Sequence, residues 1–135
     1  MDEKTILVIE DNEINMKLMR AVLRAGNYRM LEAPDAESGL RLVREHHPDL
    51  ILMDIQLPSM DGLSAAKIIK ADPQLRDISI FALTGFAMES DKEKAMDIGF
   101  AGYIVKPFSV KMLLETLANH FNCHTIEKRP SEDEL

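Results

Sequence analysis

Five polar side chains that could do chemistry stand at or just after the ends of short apolar segments. They are Glu10, Asp11, Asp54, Thr84 and Lys106. Each alone has an ordinary explanation, because a carboxylate at a strand end often forms a turn or caps a helix, and a threonine or a lysine there needs no special role. Five of them at corresponding ends indicate a common site.

The chemistry that these side chains suit follows from their charges. Three carboxylates brought close repel one another, which costs stability or raises a pKa unless a cation neutralises them. The carboxylates would bind a metal ion through oxygen atoms only, and this favours Mg²⁺ over zinc. Lys106 would neutralise one phosphoryl oxygen and Thr84 would donate to another. The set therefore predicts phosphoryl transfer, in which one carboxylate could itself be the nucleophile.

The segment 49–58, DLILMDIQLP, organises the chain around Asp54. Its apolar run is bounded by turn residues, which is typical of a strand buried on both faces of a parallel sheet. Asp54 would then lie at the carboxyl edge of the sheet, where ligands bind in open α/β folds.

Strand-like and helix-like segments alternate along the chain. The predicted strands are 5–10, 28–33, 50–54, 77–85 and 102–105, and the predicted helices are 12–26, 35–47, 63–71, 88–98 and 109–121. This alternation predicts an α/β fold, a doubly wound five-stranded parallel sheet with five helices. The periodic pattern is lost after residue 121, so we expect one domain over 1–121 and a flexible tail over 122–135.

The composition limits the class of protein. A chain of 135 residues can bury a sizeable core, and it shows neither a secretory signal nor an apolar run long enough to span a bilayer. Its formal charge of −7 argues against nucleic acid as a direct partner. The single cysteine, Cys123, cannot form an internal disulfide, which fits a cytoplasmic location.

The motifs VIEDN, LILMD followed by IQLP, ALTG and the Lys106-Pro107 pair resemble the receiver domain of two-component response regulators over residues 4–121. Within that family the chain is similar to stand-alone regulators of the DivK and chemotaxis types, which have no effector domain. The resemblance implies the flavodoxin-like receiver fold. It also implies a phosphoacceptor signalling protein that catalyses only its own phosphorylation and dephosphorylation.

The resemblance implies a metal and a phosphoryl acceptor at one edge of the sheet. Asp54 matches the phospho-accepting aspartate. Asp11, Asp54 and the backbone carbonyl of Gln56 match ligands of Mg²⁺, and Glu10 matches a second acid that acts through water. Glu10 departs from the commonest pattern, in which aspartate stands at this position.

Further positions match residues that bind the phosphoryl group or change conformation in response to it. Thr84 and Lys106 match the pair that binds it, and Tyr103 matches an aromatic switch that turns inward as Thr84 moves. Lys106-Pro107 matches a peptide bond that is usually cis. A downstream protein target would bind the surface formed by the fourth helix, fifth strand and fifth helix, and phosphorylation would switch this binding.

The implied partners are a histidine kinase or histidine phosphotransferase and a downstream protein target. The predicted helix 12–26 has two apolar sides, and part of the side with Ile14 and Leu18 should be exposed beside the site. We expect this stripe to dock the phosphodonor. Onward phosphorelay to a histidine phosphotransfer protein is an alternative output. The sequence leaves the pathway and the oligomeric state open, with a monomer favoured.

Two rival classes share parts of this pattern. A metal-dependent phosphatase would also use a strand-end aspartate and Mg²⁺, but Gln56 stands where such an enzyme needs a second acid, and no segment could form a substrate cap. A flavodoxin-like small-molecule binder would share the sheet order. However, no strand-to-helix loop is Gly-rich enough to hold a phosphate.

Gln56 and Phe86 lie two residues beyond Asp54 and Thr84, at positions that flank the phosphoryl group in receivers. We predict that the bulky, apolar Phe86 shields the acyl phosphate from water. The acyl phosphate of the Phe86→Ala variant should therefore be hydrolysed faster than that of the parent protein. An unchanged dephosphorylation rate would contradict this role.

Overall fold

In the described part of the chain, five parallel strands alternate with five helices, as the sequence predicts. The computed structural model describes residues 4–55, 62–84, 89–106 and 109–127. The elements are β1 (Thr5–Ile9), α1 (Glu13–Ala25), β2 (Arg29–Ala33), α2 (Ala36–His46), β3 (Leu50–Asp54), α3 (Gly62–Ala71), β4 (Ser79–Thr84), α4 (Glu89–Ile98), β5 (Gly102–Val105) and α5 (Val110–Glu127). The strand order is β2-β1-β3-β4-β5, so the order reverses between β1 and β3.

Alternate side chains of the central strands pack into two cores, one on each face of the sheet. Leu7 and Ile51 pack on the face that α2, α3 and α4 cover. Their neighbours Val8 and Leu52 pack on the face that α1 and α5 cover. All residues of β3 are buried, which confirms the prediction of a strand covered on both faces. In the described part of the chain, no helix has the length and apolar content that crossing a bilayer requires.

Helix α1 begins and ends where the sequence predicts. The side chain of Asn12 accepts hydrogen bonds from the backbone N–H groups of Ile14, at 2.8 Å, and Asn15, at 3.1 Å, and Gly26 follows the last turn. Its buried residues are Met16, Met19, Val22 and Leu23. The opposite apolar side is partly exposed, since Ile14 is 77% exposed and Leu18 is half-buried.

Helix α5 is longer than the sequence predicts. The predicted end near Phe121 is wrong, because the helical backbone continues to Glu127. The sequence has no Gly or Pro between Ser109 and Pro130 that would stop the helix. Apolar residues no longer recur at helical spacing after residue 121, but this alone does not end the helix. Of the predicted tail, residues 122–127 are helical, while residues 128–135 lie outside the described part. The domain boundary at residue 121 stays a prediction.

Gly62 brings the start of α3 directly against the end of β3. Its N–H donates to the backbone carbonyl of Ile55, at 3.1 Å. A Cβ atom at this position would lie 2.6 Å from both the carbonyl oxygen of Asp54 and the Cα of Ile55. Because both are backbone atoms, neither can move aside as a flexible side chain would. The position of Asp54 therefore depends on the absence of a side chain at residue 62.

Replacing Gly62 tests this contact. Gly62→Ala should destabilise the protein by roughly 1–3 kcal/mol, because the added methyl group forces α3 away from β3. Urea denaturation measures the change. Lys67→Ala, at an exposed position of the same helix, is the control and should stay within about 0.5 kcal/mol of the parent. Equal stability of Gly62→Ala and the parent would show that α3 has room to adjust.

Candidate functional site

The topology brings the predicted site residues to the carboxyl edge of the sheet. Glu10 directly follows β1, which pairs with β3 up to the partners Ile9 and Met53, so Glu10 stands beside Asp54. Lys106 directly follows β5, and its N–H donates to the carbonyl oxygen of Thr84 at 2.7 Å. Residues that are far apart in sequence therefore meet at one edge.

The ammonium group of Lys106 joins two buried carboxylates. Its Nζ atom lies 2.9 Å from Oε1 of Glu10 and 3.0 Å from Oδ2 of Asp54. The side chains are 1% exposed for Glu10, 7% for Asp54 and 19% for Lys106. Charge-assisted hydrogen bonds of this length are strong where water is largely excluded.

Two pKa shifts show how the site balances burial against pairing. Burial raises the pKa of Glu10, and the neighbouring Asp54 carboxylate adds to this, although Lys106 opposes it. Burial would lower the pKa of Lys106, but the hydrogen bonds with Glu10 and Asp54 outweigh it and raise that pKa above its ordinary value. Lys106 is therefore a permanent cation at neutral pH.

Three carboxylates converge on this edge. One oxygen atom from each of Glu10, Asp11 and Asp54 lies within 4.8 Å of the others, and Asp11 is the exposed member. An all-oxygen set of this kind fits a hard divalent cation such as Mg²⁺, which retains several waters. Gln56, whose carbonyl oxygen the resemblance to receiver domains implies as a further ligand, lies outside the described residues.

The loop that carries Glu10 and Asp11 is held from both sides. The N–H of Asn12 donates to Oε2 of Glu10 at 3.3 Å, while the Asn12 side chain caps α1. Neither the contact between the Asn12 N–H and Glu10 nor the close approach of Gly62 is predicted from the sequence. An asparagine directly after an acidic pair at a helix start is the signal that could have indicated the first contact.

Thr84 and Tyr103 lie on the neighbouring strands. Thr84 is fully buried at the end of β4. Tyr103, on β5, is half-buried and packs against the core on the side of α2, α3 and α4. Phe86 and Pro107 lie outside the described part of the chain, so their implied positions, beside the phosphoryl group and in a cis peptide bond, stay predictions.

The comparisons with known proteins agree with this architecture. The family model for the response regulator receiver domain matches residues 6–118. The polar-differentiation response regulator DivK of Brucella ovis is 45% identical over 117 residues, which are 87% of this chain and 95% of DivK.

Two solved structures extend the similarity to three dimensions. The receiver domain of the sensor histidine kinase PA1611 from Pseudomonas aeruginosa PAO1, with a magnesium ion in its active site cleft, is 35% identical with a TM-score of 0.79 and covers 86% of this chain and 95% of its own. The phosphorylated cyanobacterial phytochrome response regulator RcpA is 27% identical with a TM-score of 0.75 and covers 85% and 89%.

Neutralising Asp11 tests the repulsion within the acidic cluster. Asp11→Asn should raise the free energy of unfolding in metal-free buffer by about 0.5 kcal/mol, because it removes one of three crowded negative charges. The same change should reduce stabilisation by added Mg²⁺. Chemical denaturation with a chelator or with Mg²⁺ measures both effects.

The control is Glu115→Gln, which removes an exposed charge from α5. It should leave both the metal-free stability and the Mg²⁺ response nearly unchanged. Marked destabilisation of metal-free Asp11→Asn would contradict the repulsion argument.

Proposed function

Because the chain belongs to the response regulator receiver domain family, we propose that it is a response regulator that accepts a phosphoryl group on Asp54. One observation carries the proposal: a lysine ammonium lies 3.0 Å from the Asp54 carboxylate, beside two further acids. This arrangement supports a nucleophilic carboxylate, a cation for the incoming phosphoryl oxygens and ligands for a metal ion.

The phosphodonor would be a phosphohistidine of a histidine kinase or phosphotransferase. Its N–P bond breaks as Asp54 forms an O–P bond, and the histidine nitrogen leaves. Lys106 neutralises charge on one phosphoryl oxygen, and the Thr84 hydroxyl donates to another. Positioning and charge neutralisation are most of what such a transfer requires. The phosphorylated state of the similar protein RcpA supports this chemistry.

Magnesium is the cofactor that we propose for the acidic cluster. Asp11, Asp54 and the backbone carbonyl of Gln56 would hold it, with Glu10 acting through water. When bound, Mg²⁺ offsets charge on the transferring phosphoryl group. The donor set of this chain and the magnesium ion in the similar PA1611 receiver domain support the assignment.

Phosphorylation would be read by the face that α4, β5 and α5 form. Thr84 would move toward the phosphoryl group and Tyr103 would turn inward. Val105, Val110 and Met112 on this face are 36%, 39% and 43% exposed, so a protein partner could contact them. Converting a mostly inactive population to a mostly active one requires about 5 kcal/mol of bias, of which partner binding can supply a part.

The exposed side of α1 is the surface that we propose for the phosphodonor. Ile14 is 77% exposed and Leu18 is half-buried, and both follow the Glu10–Asp11 pair by less than three helical turns. The same surface would serve a second function, onward phosphoryl transfer to a histidine phosphotransfer protein. A partner bound there could either donate the phosphoryl group to Asp54 or accept it from Asp54. The cytoplasmic location expected from the sequence stays a prediction.

Labelling by acetyl phosphate tests the proposed function. With Mg²⁺, the protein should gain the mass of one phosphoryl group on Asp54 and lose it slowly. Asp54→Asn should remain unlabelled, whereas Asp97→Asn, which changes an exposed carboxylate on α4, should be labelled like the parent. Mass spectrometry of the intact protein and its peptides detects the label. Labelling elsewhere, or turnover of the phosphodonor without a stable label, would favour a different function.

Changing the α1 surface tests donor docking separately. Leu18→Glu should slow phosphotransfer from a cognate histidine kinase about tenfold or more while leaving acetyl phosphate labelling unchanged, because a charge enters an apolar contact. Ala25→Glu, at the exposed far end of the same helix, is the matched control and should transfer normally. Normal kinetics of Leu18→Glu would place the donor elsewhere.

A further inference from the structure

Glu10 uses both of its carboxylate oxygens within the protein. Oε1 accepts from the Lys106 ammonium at 2.9 Å, and Oε2 accepts from the Asn12 N–H at 3.3 Å. The side chain is 1% exposed, so water cannot easily replace either contact. A divalent cation that recruits this carboxylate must compete with groups that already hold it.

The length of the side chain is what allows both contacts. Glu10 occupies a position at which the resemblance to receiver domains implies that aspartate is more common, and aspartate is shorter by one carbon–carbon bond, about 1.5 Å. In the same backbone position, a shorter carboxylate would withdraw beyond hydrogen-bonding distance of the Lys106 Nζ atom. Lys106 would then keep only its contact with Asp54.

We propose that Glu10 restrains Lys106 in the metal-free protein and thereby weakens the binding of Mg²⁺ at the acidic cluster. The inference rests on the proposed function, since it concerns the same edge of the sheet. The Lys106 ammonium occupies the place of a cation between Glu10 and Asp54. Binding of Mg²⁺ and contact of Lys106 with a phosphoryl oxygen therefore both require this pairing to loosen.

A shorter carboxylate should release this restraint. Glu10→Asp should lower the dissociation constant for Mg²⁺ about three- to tenfold, the range expected for losing one competing hydrogen bond between charged groups. Calorimetric titration of the metal-free protein with magnesium chloride measures it. An unchanged or higher dissociation constant would overturn the proposal.

A double-mutant cycle separates this restraint from a direct change in metal ligation. In a Lys106→Met background there is no ammonium to restrain, so Glu10→Asp should then leave the Mg²⁺ dissociation constant unchanged. The same three- to tenfold change with and without Lys106 would show that Glu10 acts on the metal itself. That outcome would overturn the proposal.

A measurement with the lysine in place covers the case in which Lys106→Met does not fold. In metal-free wild-type protein the ¹H–¹⁵N signal of the Lys106 ammonium should be protected from exchange with water by its two carboxylate partners. Glu10→Asp should speed that exchange severalfold. Equal exchange in both proteins would overturn the proposal.

Acetyl phosphate labelling of the same samples distinguishes failure of the restraint by Glu10 from failure of the proposed function. If Glu10→Asp tightens Mg²⁺ binding only when Lys106 is present, the restraint is established whether or not Asp54 becomes labelled. If Asp54 is labelled normally but the cycle shows no coupling between residues 10 and 106, the proposed function stands and the restraint does not exist.

Discussion

The pairing of one ammonium with two buried carboxylates is the constraint on which this site depends. Glu10 and Asp54 are almost fully excluded from water and lie beside a third acid, so without a cation they would repel one another at close range. Lys106 supplies that cation from the opposite end of the chain. The parallel sheet makes this possible because the ends of β1, β3 and β5 all reach the same edge.

The elements of the fold could be predicted because their signals are local. The residues of β3 are apolar on both faces, and Asn12 and Gly26 mark the ends of α1, so strand and helix limits followed from side-chain type alone. Helix α5 was the exception, because its polar continuation contains no residue that ends a helix. The absence of an apolar face is a weaker stop signal than glycine or proline.

The convergence of Glu10, Asp54 and Lys106 could be predicted from the sequence, but their contacts could not. Because the carboxyl ends of parallel strands lie at the same edge of a sheet, Glu10, Asp54 and Lys106 are expected there. Which carboxylate oxygen the Lys106 ammonium contacts depends on strand register and side-chain length, which the sequence does not reveal. The need for glycine at residue 62 is also invisible in sequence, since it arises from the close approach of two backbone segments that only the folded chain creates.

The same lysine links the acidic cluster to the surface where the output would be read. If Asp54 accepted a phosphoryl group, the acyl phosphate would carry close to two negative charges where the carboxylate carries one, and it would compete with Glu10 for the Lys106 ammonium. Lys106 directly follows β5, and its backbone N–H donates to the Thr84 carbonyl at 2.7 Å. A shift of Lys106 toward phosphoryl oxygens would therefore act on the ends of β4 and β5 together. Tyr103 lies on β5, so such a shift would couple the charge balance at this edge of the sheet to the surface that α4, β5 and α5 form.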